Sequence, residues 1–156
     1  MTDITAFPTI QRVEEQGVLT ITLTATTAVT AGQVVSFADS GVSLAVDKSI
    51  AGSDTYPIGV ALYDAAAGAK FACAIFGIVY VANADDTTAI DAGHFVETND
   101  CAVGGTVSAV SIAATGGATV TAHHQVVGKA IEDIAGGGTG RILLMPVASV
   151  GQANSS

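Results

Sequence analysis

The three histidines, His94, His123 and His124, are the residues of this chain that first suggest a metal site. His123 and His124 are adjacent, so on a strand they point to opposite faces and cannot both ligate one metal without local distortion. No spacing of cysteine and histidine in the sequence matches a zinc site. The sequence therefore predicts no metal ion and places these histidines on the surface or at an interface.

The glycine-rich segment 136–140 would suit a phosphate only if a helix followed it. The residues that follow, Arg141-Ile142-Leu143-Leu144, are typical of a strand instead. A flexible hairpin turn accounts for these glycines, and the sequence predicts no cofactor.

Groups able to act as nucleophiles or to bind hard cations are also isolated in the sequence. Cys73 lies in an apolar run without a nearby base, and Cys101 lies in a polar loop. No serine stands in a Gly-x-Ser-x-Gly elbow. Asp85-Asp86 and the nearby Asp91 lack the glycine spacing of a calcium loop. The chain is therefore predicted not to be an enzyme, and whether the two cysteines pair is left open.

The composition limits the partners. The formal net charge is −9 with only five Lys and Arg residues, so phosphate groups would repel the chain, and we expect neither nucleic acid nor membrane as a partner. The longest apolar run, 71–82, is too short for a membrane-spanning helix of about 20 residues. The first residues, 1–7, carry no basic region typical of a secretion signal, which predicts synthesis in the cytoplasm.

The elements that would position these residues are strands. From Val18, threonine and valine alternate with Leu19, Ile21 and Leu23, which is the period of a half-buried strand. Further strands are predicted at 34–37, 42–46, 58–63, 70–81, 94–97, 106–113, 118–122, 126–132 and 141–147. Turns rich in Gly, Asp and Asn separate them, which predicts an all-β fold: a single compact β-barrel or β-sandwich of short strands.

An internal echo suggests a duplication. Segment 28–35 resembles 89–96, and segment 58–64 resembles 127–133, in the same order in both halves. We therefore expect a β-domain over 18–147 with related halves at about 18–82 and 83–147, neither large enough to bury its own apolar face. Residues 1–17 are interpreted as an extended N-terminal arm, with a first edge strand as the alternative, and 148–156 as a flexible C-terminal tail.

The ordered series of motifs resembles the decoration, or cement, proteins of tailed-virus (phage-type) capsids. The matching segments are Val29-Thr30-Ala31-Gly32-Gln33-Val34-Val35, Pro57-Ile58-Gly59-Val60-Ala61, Ala66-Ala67-Gly68 before Phe76-Gly77-Ile78-Val79, Asp91-Ala92-Gly93-His94-Phe95-Val96, Val127-Gly128-Lys129-Ala130 and Gly140-Arg141-Ile142-Leu143-Leu144. The resemblance covers about 18–147. The stretch 106–122 is longer than the resemblance leads us to expect.

The resemblance implies a virion protein on the outer capsid surface, with the major capsid protein and further copies of itself as partners. It implies a homotrimer that clamps neighbouring capsid subunits against the pressure of packed DNA. Phe7, Ile10 and Arg12 are the expected contacts of the arm with the capsid or a neighbour, because the arm's apolar residues have no obvious core.

Two other functions remain as alternatives. One is a self-assembling subunit of a surface layer, fibre or tail tube. The other is a small carbohydrate-binding or enzymatic β-domain, which the scarcity of aromatic residues for sugar stacking disfavours, at 5% of the chain with no Trp.

Overall fold

The computed structural model describes residues 6–38, 41–49, 57–84, 87–98, 103–110 and 125–145. These residues contain nine strands and no helix, so the all-β prediction is confirmed. None of the described residues forms a helix with the length and apolarity needed to span a membrane. The strands are β1 Glu14–Ala25, β2 Val34–Phe37, β3 Ala45–Lys48, β4 Pro57–Ala61, β5 Lys70–Ala82, β6 Phe95–Glu97, β7 Ser108–Ala109, β8 Val126–Ala130 and β9 Thr139–Leu144.

Five strands close into a ring, which we call the first ring. Its order is β1, β3, β2, β4 and the first part of β5, and β5 pairs back onto β1. The pairing of β1 with β3 is parallel and the others are antiparallel. The alternation read in the sequence places Leu23 and Ala25 inside this ring, while Thr22 remains exposed.

The second ring consists of the last part of β5 followed by β9, β8, β6 and β7. A parallel bridge between Asn83 and Val107 closes it. Strand β5 is therefore a wall of both rings.

The two rings repeat the same strand registers, which coincide with the echo in the sequence. Val34 pairs with Val60 and Val35 with Gly59 in the first ring; in the second ring, Phe95 pairs with Lys129 and Val96 with Gly128. In both rings, the register of the strand pairing shifts directly after these residues. The Val29–Ala65 bridge of the first ring recurs as the Ile90–Ile134 bridge of the second. Among the described residues, β2, β4 and β5 of the first ring therefore have counterparts in β6, β8 and β9 of the second.

At two core positions, the large and the small side chain stand in opposite order in the two rings. In the first ring, Ala65 is small and Phe71 fills the interior. The counterparts are Ile134 and Gly140, and the Ile134 side chain occupies the space in which a β-carbon on Gly140 would lie. The large side chain therefore stands at the second of the two positions in the first ring and at the first of them in the second ring.

A buried chain of hydrogen bonds joins the rings. The hydroxyl of Ser36 donates to Ser49 at 2.9 Å, and Ser49 donates to Thr98 at 3.1 Å. Thr98 then donates to the Gln125 side-chain oxygen at 3.0 Å. Ser36 and Ser49 belong to the first half of the chain and the other two residues to the second. Because all four are buried and hydrogen-bonded, this network favours one mutual arrangement of the rings.

Several strand boundaries differ from the sequence prediction: β4 is Pro57–Ala61 instead of 58–63, β8 ends at Ala130 instead of 132, and β9 begins at Thr139 instead of 141. The predicted strand 42–46 begins only at Ala45, because Leu44 adopts a positive φ of 58° within the preceding turn. Strand β1 begins at Glu14, before the regular alternation starts at Val18. The predicted strand 118–122, part of 106–113, the tail 148–156, Cys101, His123, His124 and Asp85-Asp86 lie outside the described residues.

Cys73 is a free thiol in the first ring, buried among apolar side chains. Burial raises the pKa of this thiol to about 12, so the reactive thiolate is scarce at neutral pH. In a Cys101→Ser variant, we expect a thiol reagent to leave the native protein unlabelled at pH 7 and to label it after unfolding in denaturant. Rapid labelling of the native variant would contradict the burial of Cys73.

Candidate docking surfaces

The segment before β1 lies against the domain. Val13 is buried in the core cluster shared by the rings, and its carbonyl accepts a hydrogen bond of 2.9 Å from the Tyr80 backbone N–H. Ile10 packs against the same cluster and covers Gly32, so closely that a β-carbon at position 32 would overlap its side chain. The last part of the predicted arm is therefore held by the protein's own core.

The three predicted arm contacts differ in environment. Ile10 is half-buried against its own domain, whereas Phe7 is half-buried outside that cluster and Arg12 is exposed. The Arg12 guanidinium donates a 2.8 Å hydrogen bond to the Glu14 carbonyl at the start of β1. The structure thus brings the three residues into one segment but gives Ile10 an internal packing partner.

An open groove of about 620 Å³ runs beside this segment. Its walls are the segment itself, from Phe7 to Glu14, and the two turns that contain Thr30 and Ala31 on one side and Leu62 to Asp64 on the other. Tyr63 is an exposed aromatic at its margin. The groove offers a mixed apolar and polar lining near the exposed arm, which suits a side chain or backbone segment of another protein.

The second ring carries an apolar surface, which we call the outer face: Phe95, Lys129, Ile131 and Leu143. Phe95 and Ile131 are 49% and 40% exposed, and Leu143 is half-buried. Lys129 lies between its cross-strand partners Phe95 and Leu143, with its ammonium 5.5 Å from the centre of the Phe95 ring. Exposed large apolar side chains that share one sheet surface indicate a contact with another protein.

A second apolar surface is the open end of the first ring, which we define by Ile21, Ile58 and Ile75. These three side chains pack at the edge of the first-ring core and are only half-buried. Leu19 and Phe76, cross-strand partners beside this end, are 58% and 50% exposed.

Strand alternation alone does not reveal either surface, because it does not say which faces of the strands another segment covers. A signal was nevertheless present in the internal echo. It aligns the buried Val34 with Phe95 and, one strand over, the buried Val60 with Lys129. A lysine at the counterpart of a core valine indicates that this position faces solvent in the second half.

Arg141 makes ion pairs with two carboxylates. The Arg141 guanidinium contacts the Glu132 carboxylate at 2.6 Å and 3.0 Å, and lies 4.0 Å from Glu15. Hydrogen bonds from Arg141 lower the pKa of Glu132. No three His, Cys, Asp or Glu side chains in the described ranges are grouped to hold a metal ion. The arrangement therefore provides surfaces for docking and no convergent set of reactive groups among these residues.

The described residues form an all-β scaffold with exposed apolar surfaces. The family model described as phage cement protein matches residues 13–146, so this chain belongs to the phage cement protein family. It is accordingly a phage structural protein associated with the capsid. No curated protein matches the chain significantly.

A solved structure shares the fold. It is the N base of the head fibre protein gp8.5 of bacteriophage phi29, with a TM-score of 0.52 and 19% sequence identity. The similarity covers 82% of this chain and 94% of that one. At this identity the likeness extends to the fold.

Proposed function

We propose that this protein binds the outer surface of an assembled phage capsid as a homotrimer and stabilises the shell by bridging neighbouring major capsid subunits. The observation that carries the proposal is the family match over nearly the whole β-domain. The exposed apolar surfaces and the groove beside the arm supply the contacts that such a role needs.

The physical basis is the summation of modest contacts. A capsid presents the same binding site many times, and a trimer that engages several sites at once gains effective concentration at each additional contact. A rigid scaffold suits this role because little conformational entropy is lost when it docks. The two rings, joined through β5 and the buried hydrogen-bond network, provide such rigidity.

Within this proposal, Phe7 and Arg12 are the arm residues that contact the capsid. Arg12 is exposed and Phe7 lies in the wall of the open groove, so both are accessible to a partner. Ile10 contributes indirectly, because its packing over Gly32 sets where the arm leaves the domain.

Removing residues 2–9 is expected to reduce capsid occupancy at least about tenfold at limiting protein concentration, corresponding to about 1.4 kcal/mol of lost binding free energy. This truncation keeps Ile10 and Val13, so the thermal unfolding temperature should remain unchanged. Occupancy is measured by co-sedimentation with capsids that lack the protein, followed by quantification on gels.

Point variants separate the arm contact from a change in fold. Phe7→Ser and Arg12→Glu should each weaken capsid binding, whereas Phe37→Ser removes a phenylalanine 44% exposed on β2 and should bind like the unmodified protein. Full occupancy by the truncated protein and by both arm variants would reject the role of the arm. Failure of the unmodified protein to bind would reject the proposed function itself.

The second candidate function is a self-assembling subunit of a fibre. It is favoured by the shared fold with the N base of a phage head fibre and by two apolar surfaces that lie on different parts of the chain. Electron microscopy of the purified protein distinguishes the two functions: extended filaments favour the fibre subunit, and small closed oligomers that attach to capsids favour the cement function.

A further inference from the structure

We propose that copies of this chain associate head to tail, with the outer face of the second ring in one copy packed on the open end of the first ring in the next. The inference rests on the self-association included in the proposed function and names the surfaces that produce it. It derives from a contact that already exists inside each chain.

The internal contact joins the two rings. On the first ring, the surface formed by Val34, Val60, Leu62 and Ala74 is buried. These residues belong to the same apolar cluster as Val79, Val127 and Leu144 of the second ring, and β4 lies against β8. The outer surface of the first ring therefore closes one end of the second ring.

The matching registers assign a counterpart to each side of this contact. The buried surface of the first ring corresponds to the outer face of the second. The counterpart pairs are Val34 and Phe95, Val60 and Lys129, Leu62 and Ile131, and Ala74 and Leu143. The closed end of the second ring corresponds to the open end of the first. The counterpart pairs are Val79 and Ile21, Val127 and Ile58, and Leu144 and Ile75.

Within one chain, both counterpart surfaces remain exposed. Val79, Val127 and Leu144 are completely buried, whereas Ile21, Ile58 and Ile75 are half-buried. Val34 and Leu62 are buried, whereas Phe95 and Ile131 are about half exposed. A second copy therefore offers the outer face that would close the open end, by the same type of packing that the rings already use.

Lys129 makes the outer face compatible with a free chain in water. Lys129 occupies in the second ring the position that Val60 occupies in the first. Its ammonium lies over the aromatic side chain of Phe95. A lysine stem covers apolar surface while the charge stays at the margin in water, so the position accepts both the exposed and the associated state. A valine there would enlarge the apolar patch of the free chain.

The two surfaces are different, so the association is heterologous. Each copy uses its outer face toward one neighbour and its open end toward the other, and the assembly closes when the rotation between copies divides a full turn. A closed ring of three copies is the form that agrees with the proposed homotrimer.

The experiment uses variants that damage one surface at a time. Phe95→Glu and Ile131→Glu alter the outer face, and Ile58→Glu alters the open end. Leu19→Glu is a second open-end variant at a more exposed position, useful if Ile58→Glu unfolds. Each is expected to raise the dissociation constant of the oligomer at least tenfold in analytical ultracentrifugation, because each replaces an apolar contact with a carboxylate that must lose its hydration when the copies associate.

Mixing distinguishes a head-to-tail interface from a symmetric one. An outer-face variant keeps its open end and an open-end variant keeps its outer face, so the mixture should form a heterodimer at a concentration where each variant alone is monomeric. Native mass spectrometry with one isotope-labelled partner detects this species. Thr22→Glu is the control, because Thr22 is exposed on β1 and belongs to neither surface; its assembly should equal that of the unmodified protein.

The outcomes separate the two proposals. Oligomers of the unmodified chain that persist in the outer-face and open-end variants, or variant mixtures without a heterodimer, would overturn the head-to-tail interface while leaving the trimer intact. A monomeric unmodified chain would overturn both the trimer and this interface. Capsid binding is tested independently by the occupancy of the arm variants.

Discussion

Gly59→Ala and Gly128→Ala are each expected to lower the free energy of unfolding by about 3 kcal/mol or more, enough to unfold a marginally stable chain. The two glycines are counterparts in β4 and β8. A β-carbon at Gly59 would overlap the Ala74 carbonyl oxygen and lie 2.7 Å from the Cys73 sulfur. At Gly128 it would overlap the Leu143 carbonyl oxygen, which belongs to the counterpart of Ala74.

The effect is large because the obstructing atoms are backbone atoms of a neighbouring strand. A side chain in the way can change rotamer, but moving a strand carbonyl disrupts the sheet hydrogen bonds around it. Urea denaturation followed by circular dichroism measures the loss of stability.

Gly93→Ala is the matched control. Gly93 has a positive φ of 90° with open space around its α-carbon, so alanine there costs only backbone strain of about 1–2 kcal/mol. Equal losses at all three positions would mean that the close strand contacts at Gly59 and Gly128 are absent in the protein.

The exchange of volume between the rings predicts a strong coupling between two second-ring positions. Gly140→Phe alone should be severely destabilising, because even the added β-carbon would lie 2.5 Å from a side-chain carbon of Ile134. Ile134→Ala alone should cost about 2–5 kcal/mol, because it leaves a cavity at a fully buried position. Together, the two changes reproduce the Ala65 and Phe71 pair of the first ring.

We therefore expect the double variant Ile134→Ala/Gly140→Phe to be more stable than either single variant, with a coupling free energy of about 2 kcal/mol or more. The measurement is a double-mutant cycle from denaturant unfolding curves. Ile90→Ala combined with Gly140→Phe is the control, because Ile90 has the same volume in the same core but is not among the nearest contacts of Gly140. Additive losses in the first cycle, or equal rescue in both, would contradict the proposed exchange.

This exchange also explains why the echo in the sequence is incomplete. The backbone registers repeat from ring to ring, but Ala65 and Phe71 correspond to residues of quite different size. Core packing constrains the total volume more strongly than the residue at each position. A comparison of single positions therefore underestimates how similar the two halves are, whereas the order of turns and strands reveals it.

The local pattern of residues was sufficient for the all-β class and most strands. Alternating side chains at 18–25 and short apolar runs between Gly- and Asp-rich turns are short-range signals, since strand pleating orients successive residues to opposite faces. The late start of β3 at Ala45 arises from the positive φ of Leu44, which no residue-type preference indicates.

Which apolar residues are covered could be known only from the folded chain. Val34 and Phe95 occupy equivalent positions, and the former is buried because the second ring packs onto it, while the latter faces solvent. Ile10 packs over Gly32, a contact that its position in the sequence does not indicate. Alternation specifies the side of a strand on which a residue lies, but burial depends on which distant segment packs against that side, and this is a property of the whole chain.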